Sequence, residues 1–274
     1  MYYTQPQTQN LSSETFEFLK VVEQEHVLNI TLNRPEKKNA FNATLLNEFA
    51  FAMAYAHFNN AIWAVIIDAE GTVFSAGADL KSFAGGDDND SVSTIPKPSG
   101  QIVIGNLMNG LHKPCIAKIE APVFAGGHLV VCGCTHVLVT ENVFFSLPEV
   151  KRGIWPMQVM QSLFEVMPRR MALDYCMRAR KVNAPEALNM GLATQLSSAE
   201  SIQKELDELI AEIKEQSPSA IRLGLKAAGE LKAVSTENAH QFLHDKLMEV
   251  LQTEDAAEGI MAFSQRRKPV WTGK

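Results

Sequence analysis

Residues 61–68 read Ala-Ile-Trp-Ala-Val-Ile-Ile-Asp, an apolar, β-branched run with no polar alternation. Alternation marks a strand with one wet face, so its absence over so short a run predicts a strand buried on both faces, as in a parallel sheet covered by helices. Residues 115–120 and 136–140 read the same way. Upstream, residues 16–22 and 26–32 do alternate, which predicts two half-buried strands in an opening hairpin. Between hairpin and buried strand, Asn42 precedes Leu45, Leu46, Phe49, Ala50 and Met53 at helical spacing. It is expected to cap a helix that runs to about Asn59 and covers the sheet.

From about Met157 the pattern is helical, with Pro168, Pro185 and Pro218 each where a new helix would begin, and no strand is expected after Phe145. The fold class is therefore α/β. A flexible polar tail is expected at 1–10, a core at 11–195 and a helical C-terminal region at 196–274. Residues 85–100, dominated by Gly, Asp, Asn, Ser and Pro, predict a mobile surface loop of the kind that forms lids.

The balance of 25 basic against 31 acidic residues gives a formal charge of −6 and no electrostatic footprint for nucleic acid. The longest apolar stretches, at 61–69 and 123–133, are about half the ~20 residues of a membrane span, so no membrane partner is expected. Cys115, Cys132, Cys134 and Cys176 lie in apolar surroundings and read as buried free thiols of a reducing compartment. The opening MYYTQPQTQN has neither the basic nor the apolar region of a leader, and the expected location is cytoplasmic.

Three segments carry the chemistry. They are Phe74-Ser75-Ala76-Gly77-Ala78-Asp79-Leu80-Lys81, Phe124-Ala125-Gly126-Gly127-His128 and Phe145-Ser146-Leu147-Pro148-Glu149-Val150. Small residues in the first two let backbone approach a ligand closely, and Gly126-Gly127 is expected to open a helix whose first amides point outward unpaired. Such amides attract an oxyanion. The other constellations read as structure: Cys132 and Cys134 diverge at i, i+2, and His240 and His244 lack the glutamate of a zinc-peptidase helix, so no metal is expected. His128 reads as a satisfied structural histidine, and Lys118 with Glu120 as an ion pair. Nucleotide-binding glycine motifs and a serine-hydrolase elbow are absent.

In order and spacing these segments resemble the enoyl-CoA hydratase/isomerase (crotonase) family. The match also takes in Asn33-Arg34-Pro35, Asn39-Ala40-Phe41-Asn42, Lys113-Pro114, residues 147–153 and residues 264–271, so it spans roughly 15–274. The resemblance implies a crotonase-like spiral of ββα turns with a helical C-terminal trimerisation region, assembled as a homotrimer or hexamer. It implies an acyl-CoA thioester substrate, with coenzyme A part of that substrate and no separate cofactor. By the same resemblance the Ala76 and Gly126 amides form an oxyanion hole, Glu149 is the acid/base, and Gly77, Ala78, Asp79 and Leu80 lie along coenzyme A. Lys38, with Lys37, Arg266, Arg267 and Lys268, is a candidate for its phosphates.

One departure matters: Leu129 stands where family hydratases carry a first glutamate, leaving Glu149 alone. Hydration at C2–C3 of an enoyl-CoA by a single glutamate is the expected activity. Δ3-Δ2 isomerisation, which one carboxylate can perform, is the alternative, and an inactive acyl-CoA-binding subunit is the alternative of another class.

Overall fold

The computed structural model describes residues 1–79 and 91–274. The hairpin is present, with β1 (Leu19–Gln24) antiparallel to β2 (Val27–Leu32). It opens a six-stranded sheet that continues in parallel through β3 (Ala64–Ala69), β4 (Cys115–Ile119), β6 (His136–Thr140) and β9 (Gln195–Ser197). A smaller sheet joins β5 (Val123–Phe124), β7 (Phe144–Ser146) and β8 (Lys181–Asn183).

The burial of β3 on both faces is explained by the elements covering each side. Val65 and Ile67 pack into the main core with Leu45, Phe49 and Met53 of helix α1 (Ala43–Phe58). Ala64 and Ile66 turn to the opposite face, where Ile202 and Leu206 of a C-terminal helix close over them. Asn42 caps α1 as its sequence suggests, the side chain accepting from Leu45 N at 2.9 Å. At ~1.5–3 kcal/mol per large buried side chain, the fully buried Leu45, Phe49 and Met53 anchor this helix far more strongly than its cap does.

The remaining helices among the described residues are α2 (Ile104–Asn109), α3 (His128–Gly133), α4 (Met157–Val166), α5 (Arg169–Arg178), α6 (Ala184–Met190), α7 (Ile202–Lys214), α8 (Pro218–Leu231), α9 (Ala239–Leu251) and α10 (Glu254–Ser264). Prolines mark three starts: Pro168 at the cap of α5, and Pro185 and Pro218 in the first turns of α6 and α8. α7 is the helix that covers the back of the sheet.

Three expectations are corrected. Two strands do lie beyond Phe145, β8 and β9, each three residues long. Lys-Val-Asn and Gln-Leu-Ser carry no strand pattern of their own, and pairing with β7 and β6 recruits them. β9 also straddles the boundary expected at 195. The tail is docked through Tyr3, which is 3% exposed, meets Phe51 edge-on, and donates its hydroxyl to Pro96 O at 2.9 Å. An aromatic anchor outweighs the polar composition around it.

The loop expected at 85–100 is described only from residue 91, its first part lying outside the described residues. Its second part is tied down, Thr94 N donating to Thr15 O at 3.1 Å and Ser99 N to Tyr2 O at 3.0 Å.

Candidate active site

The three chemistry-bearing segments run side by side. Ser75 bridges Val123 in parallel, Phe74 N donates to Pro122 O at 3.0 Å, and Phe124 N donates to Ser75 O at 2.9 Å. Val123 in turn pairs with Phe145 in parallel. Ser75, Val123 and Phe145 therefore stand in one row, and Ala78, Gly126 and Glu149 come three, three and four residues further along neighbouring segments. Parallel pairing makes all three leave the row at the same end.

The first segment is pinned by a buried polar cluster. Asn39 donates to Glu70 O and Val73 O at 2.9 and 2.8 Å, and accepts from Arg34 N at 2.8 Å. Ser75 Oγ donates to Asn39 O at 2.9 Å and accepts from Gly77 N at 3.1 Å. Ala78 then bridges Phe41 in parallel: Phe41 N donates to Gly77 O at 2.7 Å and Asp79 N to Phe41 O at 3.0 Å. Because alternate residues of an extended segment face opposite ways, the Ala78 N–H points away from Phe41.

Ala78 N lies beside the Gly126 turn. A β-carbon on Gly126 would lie 3.5 Å from Ala78 N, and one on Gly77 would lie 2.5 Å from Gly126 N. Gly77 also has φ +84°, so only glycine fits there. Gly126 sits in the first turn of a short 3-10 helix, Ala125–Gly127, where an N–H has no intrahelical acceptor. Gly77, Ala78, Gly126 and Leu129 together form one wall of a cavity of about 660 Å³, whose other sides include Phe41, Leu46, Ile95 and Ile102.

Glu149 opens the 3-10 turn Glu149–Arg152. It is half-buried, and its Oε2 has no hydrogen-bond partner among the described residues. Burial raises its carboxyl above the ordinary carboxylate range, a peptide N–H and Arg152 pulling weakly the other way. A carboxylate so raised, with an uncommitted oxygen, is suited to exchanging protons.

A sequence profile of the enoyl-CoA hydratase/isomerase family matches residues 22–274, nearly the whole chain. The chain belongs to the enoyl-CoA hydratase/isomerase family. Carnitinyl-CoA dehydratase from Escherichia coli strain K12 is 30% identical over 256 residues, covering 90% of this chain and 95% of that one. Enoyl-CoA hydratase domain-containing protein 3, mitochondrial, from Xenopus laevis is 27% identical over 255 residues, covering 93% of this chain and 86% of its relative. Among solved structures, an enoyl-CoA hydratase from Mycobacterium tuberculosis H37Rv superposes with a TM-score of 0.81 at 27% identity, covering 94% and 99% of the two chains. The crotonase fold and the CoA-thioester chemistry of the family thus frame the site.

Within that frame one assignment needs correction. The Ala76 N–H, expected to serve an oxyanion, donates to Lys38 O at 2.9 Å and is spent on the fold. The amide that faces Gly126 across the cavity wall is that of Ala78. The two-residue shift arises because the Ala76 N–H is taken by Lys38 O, whereas the pairing with Phe41 uses Gly77 O and Asp79 N and passes over the Ala78 N–H. Lys38 offers this carbonyl from a left-handed backbone, while its exposed side chain does not line the cavity. Leu80 lies outside the described residues.

Asp79 meets Arg34 Nη1 at 2.8 Å, the two side chains being only 16% and 8% exposed. This pair clamps the residues directly after Ala78. Asp79→Ala leaves a buried guanidinium without its close charge partner, only the exposed Glu36 remaining at 4.0 Å, and is expected to cost about 3–5 kcal/mol in a urea melt. An unchanged midpoint would show the pair to be dispensable.

Glu149 does not line the cavity itself. Lys118 and Glu120 form their ion pair at 2.9 Å. Arg267 is committed to Glu258 at 2.5 and 2.7 Å. Among the residues that sequence reading passed over are Lys97 and Gln101, from one loop, and Gln158 of α4, all on the cavity wall with no motif to mark them.

Proposed function

We propose that this family member hydrates 2-enoyl-CoA thioesters, with the Ala78 and Gly126 amides as oxyanion hole and Glu149 as the one acid/base. The observation that carries the proposal is the closeness of two backbone amides, Ala78 and Gly126, on one cavity wall beside the segment that ends in Glu149. Attack at C3 moves charge through C2 onto the thioester oxygen, and two fixed donors stabilise that charge without reorganising. Glu149 takes a proton from water as its oxygen adds to C3, then returns that proton to C2. The likeness to a dehydratase supports water as the reactant, since dehydration is this reaction reversed.

Leu129 supports a second reading. An apolar residue in the cavity wall cannot hold a water, and one carboxylate can lift a proton from C2 of a 3-enoyl-CoA and deliver it to C4. The two are separated by incubating the protein with 2-enoyl and 3-enoyl CoA esters and following products by mass spectrometry and absorbance. Faster hydration of the 2-enoyl ester supports the first reading; faster 3-enoyl to 2-enoyl conversion supports the second. Neither product with any ester, in folded protein, removes both and leaves the inactive binding subunit.

Acyl-CoA at 100-fold its Kd is expected to stabilise the native state by about 2.7 kcal/mol, raising the melting temperature. No shift with any acyl-CoA would sink the carrier assignment. The trimer or hexamer is proposed with them, supported by Leu247, Leu251, Ile260 and Phe263, which α9 and α10 leave exposed at 49–88%.

A further inference from the structure

We infer that His128 and Tyr175 are positioning residues that fix the direction of the Gly126 amide from behind the cavity wall. The inference rests on the oxyanion role proposed for that amide. It begins with the peptide unit joining Ala125 to Gly126. That unit is planar and trans, so the Ala125 C=O and the Gly126 N–H are held pointing in opposite directions. Whatever holds the carbonyl aims the amide.

His128 holds it. The ring is completely buried, with Nδ1 2.9 Å from Ala125 O and Nε2 2.9 Å from the Tyr175 hydroxyl. A carbonyl only accepts, so Nδ1 carries the proton, and Nε2 must then accept from the Tyr175 O–H. Burial pushes the histidine pKa down to about 4, consistent with the neutral ring this arrangement requires. Tyr175, itself fully buried on α5, donates to His128, and His128 donates to Ala125.

The turn needs such a restraint. Ala125 has φ +48°, a left-handed conformation that its β-carbon disfavours and that persists only where surroundings impose it. The His128 backbone N–H also bonds to Ala125 O, so the side chain is the second of two donors on that carbonyl. Two donors fix both lone-pair directions and polarise the peptide, which makes the Gly126 N–H a better donor on its other side. The Tyr175 phenol is raised chiefly by burial, then by Cys132 and by the charge of Glu149.

The test compares His128→Leu, His128→Asn and Tyr175→Phe on crotonyl-CoA, or on whichever ester the panel shows to turn over fastest. kcat, KM and melting temperature are measured for each, with deuterium wash-in at C2 of butyryl-CoA as a direct readout of enolate formation. His128→Leu is expected to lower kcat and wash-in on the order of tenfold with little change in KM, because aim and not binding is lost. His128→Asn keeps an N–H at the Nδ1 position and is expected to recover most of kcat, though it gives up Tyr175 and melts no higher than the leucine variant. Tyr175→Phe, which removes only the hydroxyl, should show a smaller loss in the same parameter and serves if the leucine variant does not fold. A kcat that tracks melting temperature across the three variants would overturn the inference, because a structural role alone predicts that. Full kcat in His128→Leu while Gly126→Pro is inactive would overturn it too, leaving the oxyanion assignment standing. Full activity in Gly126→Pro would remove the assignment and this inference together.

Discussion

Glu149→Gln is expected to lower kcat by ~10²–10⁴ while KM changes little, for hydration and isomerisation alike. Gln keeps the shape of the side chain and its fit in the half-buried pocket, but it cannot accept and return a proton. With Leu129 in the cavity wall, no second carboxylate stands at the position where family hydratases carry one. The same variant has a stability signature. Burial raises the Glu149 carboxyl above its ordinary value, so the native state keeps the proton to higher pH than the unfolded chain does. The stability contributed by the neutral form is present below the ordinary carboxylate range and is lost as pH rises through the raised value. Gln is neutral throughout. Glu149→Gln should therefore melt above the wild type at pH 7, and the two should converge below about pH 4. Retention of near-wild-type kcat in both assays would move the proton carrier elsewhere; a lower melting temperature at pH 7 would contradict the burial argument alone.

Gly126→Pro is expected to cost ~10²–10³ in kcat, the usual effect of deleting one oxyanion donor. Proline has no N–H, and that amide is the proposed partner of Ala78. Because proline also constrains the residue before it, and Ala125 is already left-handed, folding must be checked by circular dichroism. Gly126→Ala serves as a second variant. Its methyl would meet Gly77 Cα at 3.4 Å and Ala78 N at 3.5 Å, ordinary contacts that the fold accepts. An oxyanion, however, must lie roughly 2.7–3.1 Å from both donors, so the methyl competes for its place. Turnover at the wild-type rate in either folded variant would show that the hole is elsewhere.

Gly126 and Glu149 stand out in the sequence as candidates, whereas Ala78 does not stand out from Ala76. Gly126 announces itself because glycine before an apolar run signals a helix start, and helix starts leave amides unpaired. Glu149 stands out as an acid directly after proline at the end of a strand-like run. Ala76 and Ala78 flank the same glycine and share one side chain, so nothing in their chemistry separates them. What separates them is Lys38 O, which takes the Ala76 amide, and Phe41, which pairs with the residues on either side of Ala78. Hydrogen-bond partners 35 or more residues away in the chain leave no mark on local sequence.

The same division runs through the whole chain. Local sequence signals by themselves marked the opening hairpin, the α1 cap at Asn42, the doubly buried strand read at 61–68 and found at Ala64–Ala69, and the helix starts at Pro168, Pro185 and Pro218, because each depends on neighbours within a few residues. The tertiary structure alone decided the three-residue strands β8 and β9, the docking of Tyr3, the hydrogen bond that takes the Ala76 amide and the His128–Tyr175 contact. Short strands have too little local preference to form without a partner. An amide is free or spent according to which backbone the fold lays beside it.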